Sequence, residues 1–238
     1  MSSSSRPRIV VVQHQDLVPL GLLGPALAQC DLLTLTPGHD QPWPAPADFD
    51  ALIVLGGTAD VRDRDGDVWL AQVGAYLRAA VQAQVPTLGI CLGAQLLTTT
   101  LGGQVEHAAP GGPERGLVEL RMRPEAADDA LLGPVVAALG RDVVAPASHE
   151  DVVSTLPPEA VWLASSRQYP FQAFRVGSAW GLQFHPEVEQ ARLASWIARH
   201  GGDADAVNAR YAQYAEQLGS LASLLGAAFA DLARSHRR

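Results

Sequence analysis

The sequence contains no lysine, because all 17 of its basic residues are arginine. A nucleotide-binding P-loop requires a lysine after its glycines, and Schiff-base chemistry requires a lysine amine, so both kinds of active site are excluded. The net charge is −8. This acidic balance argues against nucleic acid or an anionic membrane surface as a partner.

Cysteines and long apolar runs are also scarce. The 238 residues include two cysteines, and no apolar run approaches the roughly 18 residues that a membrane helix needs. We find no signal peptide, so the sequence predicts a cytoplasmic protein without disulfides. The seven histidines show no metal-ligand spacing, and we expect neither a metal nor another cofactor. His14, His107 and His200 are assigned no special role.

The segment Gly-Ile-Cys-Leu-Gly at residues 89–93 lies between an apolar run and a helical pattern. A cysteine framed by glycines at such a junction is typical of a nucleophile elbow, where a tight turn holds one reactive side chain above the end of a strand. Cys91 is therefore a candidate nucleophile. Cys30 has no glycine frame, and we expect it to pack in the core.

A second motif, Gly-Leu-Gln-Phe-His-Pro-Glu-Val, occupies residues 181–188. Pro186 forces His185 into an extended conformation, and residues two apart in extended chain project to the same side. His185 and Glu187 are therefore expected to lie together, with Glu187 orienting the imidazole. With Cys91, they would supply the nucleophile, base and orienting group of a catalytic triad.

The stretches at residues 89–97 and 181–188 together resemble the class I glutamine amidotransferases, and this resemblance spans roughly residues 8–200. The segment at 148–153 is similar to a Ser-His-Gly-Asp stretch of the branch that includes the glutaminase domain of GMP synthetase and its free-standing relatives. The resemblance implies that Cys91 is the nucleophile, His185 the base and Glu187 the third member of the triad.

The resemblance also implies roles for five further residues. The backbone N–H groups of Gly57 and Leu92 would form the oxyanion hole that holds the tetrahedral intermediate. Gln95 would contact the bound glutamine. Ser148 and His149 would line the same pocket.

Alternating strand and helix patterns predict an α/β fold with three layers, in which helices cover both faces of a mostly parallel, open, flavodoxin-like sheet. The strand patterns lie at residues 8–13, 31–36, 51–55 and 85–90. The helical patterns lie at residues 20–29, 67–83 and 94–101. Short β-rich pieces between residues 104 and 184 would extend the sheet or form a partly antiparallel flap beside it.

We divide the chain into a disordered segment at residues 1–7, an amidotransferase domain at 8–200 and a C-terminal helical extension at 201–238 packed on that domain. The extension carries an apolar stripe at helical spacing, and Gly201-Gly202 breaks the helical pattern before it. A charged loop at residues 58–67 would border the active site.

The leading functional hypothesis is hydrolysis of the glutamine side-chain amide to glutamate and ammonia through a cysteinyl thioester. The sequence shows no ATP-binding signature, so the acceptor of the ammonia would lie on a separate synthetase subunit. Two alternatives stay open at this point. The protein would be a gamma-glutamyl peptidase or hydrolase acting on another gamma-glutamyl amide, or a non-catalytic regulatory module of the same fold.

Overall fold

The structure, a computed structural model, describes residues 6–16, 18–59 and 68–236. The strands are β1 (Arg8–Val12), β2 (Asp31–Leu35), β3 (Ala51–Val54), β4 (Thr87–Ile90), β5 (Gln104–Glu106), β6 (Glu114–Met122), β7 (Asp142–His149), β8 (Val152–Thr155), β9 (Val161–Ser166), β10 (Ala173–Val176) and β11 (Ala179–Leu182). The helices are α1 (Val68–Gln82), α2 (Leu92–Thr100), α3 (Gly133–Leu139), α4 (Gln190–Arg199) and α5 (Ala204–His236).

One large sheet organises the described residues, with the strand order β2-β1-β3-β4-β11-β10-β9-β6-β7. The strands from β2 to β11 in this order run parallel to one another. The remaining strands continue the sheet in antiparallel pairings. The predicted α/β fold is confirmed, and the β-rich pieces between residues 104 and 184 mainly extend its sheet.

Apolar cores lie on both faces of this sheet. On one face, α1 buries Leu70, Val73 and Leu77, whose spacing places them on one side of the helix. On the other face, α5 buries Leu225 and Phe229 against the sheet. Because both faces are covered, the strands between them are continuous apolar runs, as in the fully buried β3.

The predicted helix at residues 20–29 is wrong. The chain there forms two short 3₁₀ turns, Gly21–Leu23 and Pro25–Leu27. Pro25 has no backbone N–H to continue an α-helix, and Gly21 has a φ of +44°, outside the helical region. The sequence analysis also missed α3 and the small separate pair β5–β8.

The chain termini bear on the predicted division into segments. Residues 1–5 lie outside the described residues, whereas Arg6 donates hydrogen bonds to the carbonyl groups of Ala28 and Cys30. Helix α4 ends at Arg199 and α5 begins at Ala204, so the pair Gly201-Gly202 does interrupt the helical pattern.

Candidate active site

Cys91 occupies the sharp turn between β4 and α2, with φ +50° and ψ −106°. A residue with a side chain rarely adopts such a backbone conformation, and its occurrence points to a functional constraint. The flanking glycines permit the turn. A Cβ atom at Gly93 would lie 2.0 Å from the carbonyl oxygen of Val54, and one at Gly89 would lie 2.5 Å from the carbonyl oxygen of Gly93.

His185 reaches Cys91 because β4 and β11 are parallel neighbours. Ile90 pairs with Leu182, so Cys91 and the chain after β11 emerge at the same carboxyl edge of the sheet. The imidazole of His185 lies within hydrogen-bonding reach of the Cys91 side chain. Its Nδ1 atom lies 2.7 Å from Oε1 of Glu187. Exposed fractions of 6% for Cys91, 3% for His185 and 1% for Glu187 show that all three are buried.

The charge state of His185 follows from these neighbours. Burial by itself would lower the pKa of His185, but the charges of Glu187 and Cys91 and hydrogen bonds to both outweigh burial and raise the pKa to about 10. The Trp196 ring packs edge-on to the imidazole with 5.0 Å between ring centroids. The imidazole is therefore held as a cation beside the sulfur at neutral pH.

The loop after β3 lies against this group of residues. A Cβ atom at Gly56 would lie 2.9 Å from Cε1 of His185, and one at Gly57 would lie 2.8 Å from Cδ2 of Leu92. Glycine is needed at both positions because the loop backbone passes so close to the site. The structure thus places Gly57 beside Leu92, as the predicted pair of oxyanion-hole donors requires.

A cavity of about 300 Å³ borders Cys91. Six of the eight predicted site residues line it: Gly57, Cys91, Gln95, Ser148, His149 and His185. The two others support its wall, with Glu187 hydrogen-bonded to His185 and Leu92 packed against Gly57. The structure therefore brings all eight residues to one place.

Gln183 links the sulfur to the rest of the cavity wall. Its Nε2 donates to the Cys91 sulfur at 3.7 Å, and its Oε1 accepts from Nε2 of Gln95 at 3.4 Å. Gln95 also donates to the backbone carbonyl of Asp151 at 3.0 Å. The sequence analysis assigned Gln183 no role, although it lies within the motif that supplies His185 and Glu187.

Three histidines left without a role also adjoin the site. His107 and His200 line the cavity, and the side chain of His14 packs beside Gly57. Burial lowers the pKa of His14 to about 4, against a smaller opposing effect of the Leu55 backbone, so this ring is neutral at neutral pH. The available signal for His14 was its position directly after β1, at the same edge of the sheet as Cys91.

The described residues contain neither a candidate metal site nor a membrane-spanning helix. No group of three or more histidine, cysteine, aspartate or glutamate side chains among them could hold a metal ion. No helix within residues 6–16, 18–59 and 68–236 is long and apolar enough to cross a membrane. Most of the charged loop predicted at residues 58–67 lies outside the described residues.

Comparison with known proteins decides the family. The sequence model of the class-I glutamine amidotransferases matches residues 27–200, which is most of the chain and includes both motifs. The chain belongs to the class-I glutamine amidotransferase family. The prediction of this family, and of an enzyme of this class, is therefore confirmed.

Relatives of this amidotransferase differ in how much of their own length the chain matches. One of them, a separately encoded part of the glutamine-hydrolyzing GMP synthase of Sulfurisphaera tokodaii, is 33% identical over 177 residues, which cover 74% of this chain and 81% of the relative. The glutamine-hydrolyzing GMP synthase of Thermomicrobium roseum is 34% identical over 68% of this chain, but this match spans only 28% of the relative. A glutamine amidotransferase from Thermotoga maritima has the same fold, with a TM-score of 0.82 and 22% identity over 94% of this chain and 98% of its own.

Proposed function

We propose that this amidotransferase hydrolyses the side-chain amide of glutamine to glutamate and ammonia through a thioester on Cys91, and that the ammonia passes to an acceptor on a separate protein. The observation that carries this proposal is the buried chain of hydrogen bonds from Glu187 through His185 to Cys91, beside a cavity that Gln95 and His149 also line.

In the first half of the reaction, the Cys91 sulfur attacks the amide carbon of glutamine and forms the carbon–sulfur bond. The backbone N–H groups of Gly57 and Leu92 stabilise the negative charge on the carbonyl oxygen. His185 then donates its proton to the amide nitrogen, the carbon–nitrogen bond breaks, and ammonia leaves. Glu187 holds Nδ1 of His185 so that the opposite nitrogen faces the sulfur.

In the second half, water attacks the thioester. His185, now neutral, takes a proton from the water as the new carbon–oxygen bond forms. The carbon–sulfur bond breaks, glutamate leaves, and the sulfur regains its negative charge beside the imidazolium. The same charge pair that starts the reaction is thereby restored.

A separate synthetase is the acceptor that the relatives favour. The relative from Sulfurisphaera tokodaii is named as one subunit of a glutamine-hydrolyzing GMP synthase, and this chain matches most of its length. By contrast, the chain spans about a quarter of the Thermomicrobium roseum synthase. We infer a cytoplasmic location, where the two free thiols stay reduced.

The proposal predicts that Cys91→Ala and His185→Ala each lose glutamine hydrolysis by at least roughly 100-fold, because each removes a group that takes part in both steps. Ammonia release measures the rate, and mass spectrometry of the acid-quenched protein detects the thioester. Cys30→Ala removes the other buried cysteine and is the control, with full activity expected. Full activity in either site variant would contradict the proposal.

One observation favours a second substrate class. The cavity extends beyond Cys91 to Arg115, Arg199 and His200, which is further than the small amide group of glutamine requires. A gamma-glutamyl amide with a larger leaving amine would use this space. Comparing kcat/KM for glutamine with that for gamma-glutamyl dipeptides separates the two, since a clear preference for the dipeptides would make the protein a gamma-glutamyl hydrolase. Absence of both reactions and of any Cys91 adduct would indicate a non-catalytic module instead.

A further inference from the structure

A second buried histidine–carboxylate pair borders the cavity, on strands β6 and β7. The antiparallel register places Glu114 directly opposite His149. Nε2 of His149 lies 3.1 Å from Oε2 of Glu114, and the two residues are 6% and 5% exposed. This arrangement repeats that of His185 and Glu187, but no reacting atom lies beside it.

Gln172 completes this pair from the neighbouring strands. Its Nε2 donates to the same Glu114 oxygen at 2.6 Å, and the residue is fully buried. The backbone of Gln172 is fixed on both sides, because its N–H donates to Ala164 and its carbonyl accepts from the N–H of Gln183, each at 2.9 Å. The Glu114 carboxylate is therefore tied to the same segment whose Gln183 side chain contacts the Cys91 sulfur.

The remaining nitrogen of His149 has no such partner. A carboxylate accepts hydrogen bonds, so Nε2 of His149 carries the hydrogen that points to Glu114. Nδ1 of His149 is buried and has no hydrogen-bond partner in the part of the chain that the structure describes. Buried polar atoms are almost always hydrogen-bonded, and this ring forms part of the cavity wall. A bound substrate is the natural source of the missing partner.

We propose that Glu114 and Gln172 are positioning residues for substrate binding: they fix the ring orientation and tautomer of His149 so that its Nδ1 meets the polar amino-acid end of glutamine. This inference rests on the proposed function. Neither residue is required to touch the substrate or the reacting atoms, so the two should affect binding far more than the chemical steps.

The first test replaces Glu114 by glutamine, which keeps the size of the side chain and removes its charge. Losing a hydrogen bond to a charged group predicts that Glu114→Gln raises KM for glutamine roughly tenfold to 100-fold, with kcat changed by no more than about twofold. The matched control is Glu119→Gln on the same strand, where the side chain is 79% exposed and unchanged kinetics are expected. A residue that merely supports the fold would not produce this split between KM and kcat.

Two thiol reagents provide a second measurement. Iodoacetamide is small and reaches Cys91 without an amino-acid end, so Glu114→Gln should leave its rate of alkylation unchanged. The glutamine-like electrophile 6-diazo-5-oxo-L-norleucine needs the full substrate site, and its labelling of Cys91 should slow by about the same factor as the change in KM.

Gln172→Leu is the second variant, and it decides the matter if Glu114→Gln does not fold. It removes one of the two donors to the Glu114 oxygen, so a smaller rise in KM is expected, and its effect should not add fully to that of Glu114→Gln. An unchanged KM in Gln172→Leu and in folded Glu114→Gln would overturn the inference, as would a fall in kcat alone. A wild-type protein that neither hydrolyses glutamine nor reacts with the diazo compound would instead overturn the proposed function, and this inference with it.

Discussion

At the scale of single residues, the charge of Glu187 governs the behaviour of His185. Burial opposes a charged imidazole, yet Glu187 and Cys91 raise the pKa of His185 to about 10, so the ring stays charged until the pH rises through that value. Glu187→Gln removes one of these charges and must lower the pKa. We expect the alkaline limb of kcat/KM to move to lower pH by about one unit or more, and the rate at neutral pH to fall roughly 100-fold.

Glu189→Gln is the matched control for this prediction. Glu189 is only two residues further along the chain, is exposed, and makes no capping hydrogen bond at the start of α4. Its variant should reproduce the wild-type pH profile of glutamine hydrolysis. If Glu187→Gln gave that same profile, the carboxylate would have no influence on His185, and the electrostatic account of the pair would be wrong.

The residues that sequence analysis anticipated share one property: their geometry is set by the chain immediately around them. The glycines beside Cys91 and Pro186 after His185 act locally, so the elbow and the extended turn could be predicted from their neighbours. Glu114 and Gln172 could not be found in this way. Their contact with His149 depends on β9, β6 and β7 lying side by side, and nothing in the local sequence states that order.

At the scale of elements, the short turn Gly21–Leu23 supports Glu187 from behind. The N–H of Leu22 donates to the carbonyl oxygen of Glu187 at 2.9 Å. A Cβ atom at Gly21 would lie 2.0 Å from that same oxygen. Gly21→Ala must therefore displace the Glu187 backbone. Because a misplacement of about 1 Å can cost on the order of 100-fold in rate, we expect a loss of that order in kcat/KM for glutamine.

Gly177→Ala separates this displacement from backbone strain. Gly177 has a φ of +56°, close to the +44° of Gly21, but a Cβ atom there would meet nothing within 4 Å. Both variants should lose stability, by roughly 1–3 kcal/mol from the strained conformation, whereas only Gly21→Ala should lose activity. Thermal unfolding and glutamine hydrolysis, measured on both, check this. Equal losses of activity would mean that Gly21 does not act through Glu187.

The elements also show where sequence patterns have enough length to be informative. Helix α1 has four turns of apolar spacing, and β1 to β4 are apolar runs bounded by polar residues, so their predicted and observed limits differ by only one or two residues. Strand β5 has three residues and α3 has seven. Neither contains a full period of a recognisable pattern, and tertiary contacts decide their structure.

At the scale of the whole molecule, α5 completes the core although the match to the family ends at residue 200. Its side chains Leu218, Leu221, Leu225 and Phe229 are at most 2% exposed. Burying a large apolar side chain contributes about 1.5–3 kcal/mol, so these four together contribute roughly as much as the entire stability of a typical domain. The division of the chain at residue 200 stays a prediction, but the packing shows what removal of α5 would expose.

Truncation after Gly202 tests this dependence directly. Without α5, one face of the sheet would lose its cover, and we expect a chain with no cooperative thermal unfolding and no glutamine hydrolysis. A synthetic peptide spanning residues 203–236 should restore both, because the contacts of α5 with the core are non-covalent. The control is Gln213→Ala with Glu216→Ala in the full chain, since both residues lie on the exposed side of α5 and should leave unfolding unchanged. A truncated chain that still unfolds cooperatively near the wild-type temperature would show that residues 8–200 fold alone and that α5 is only an attachment.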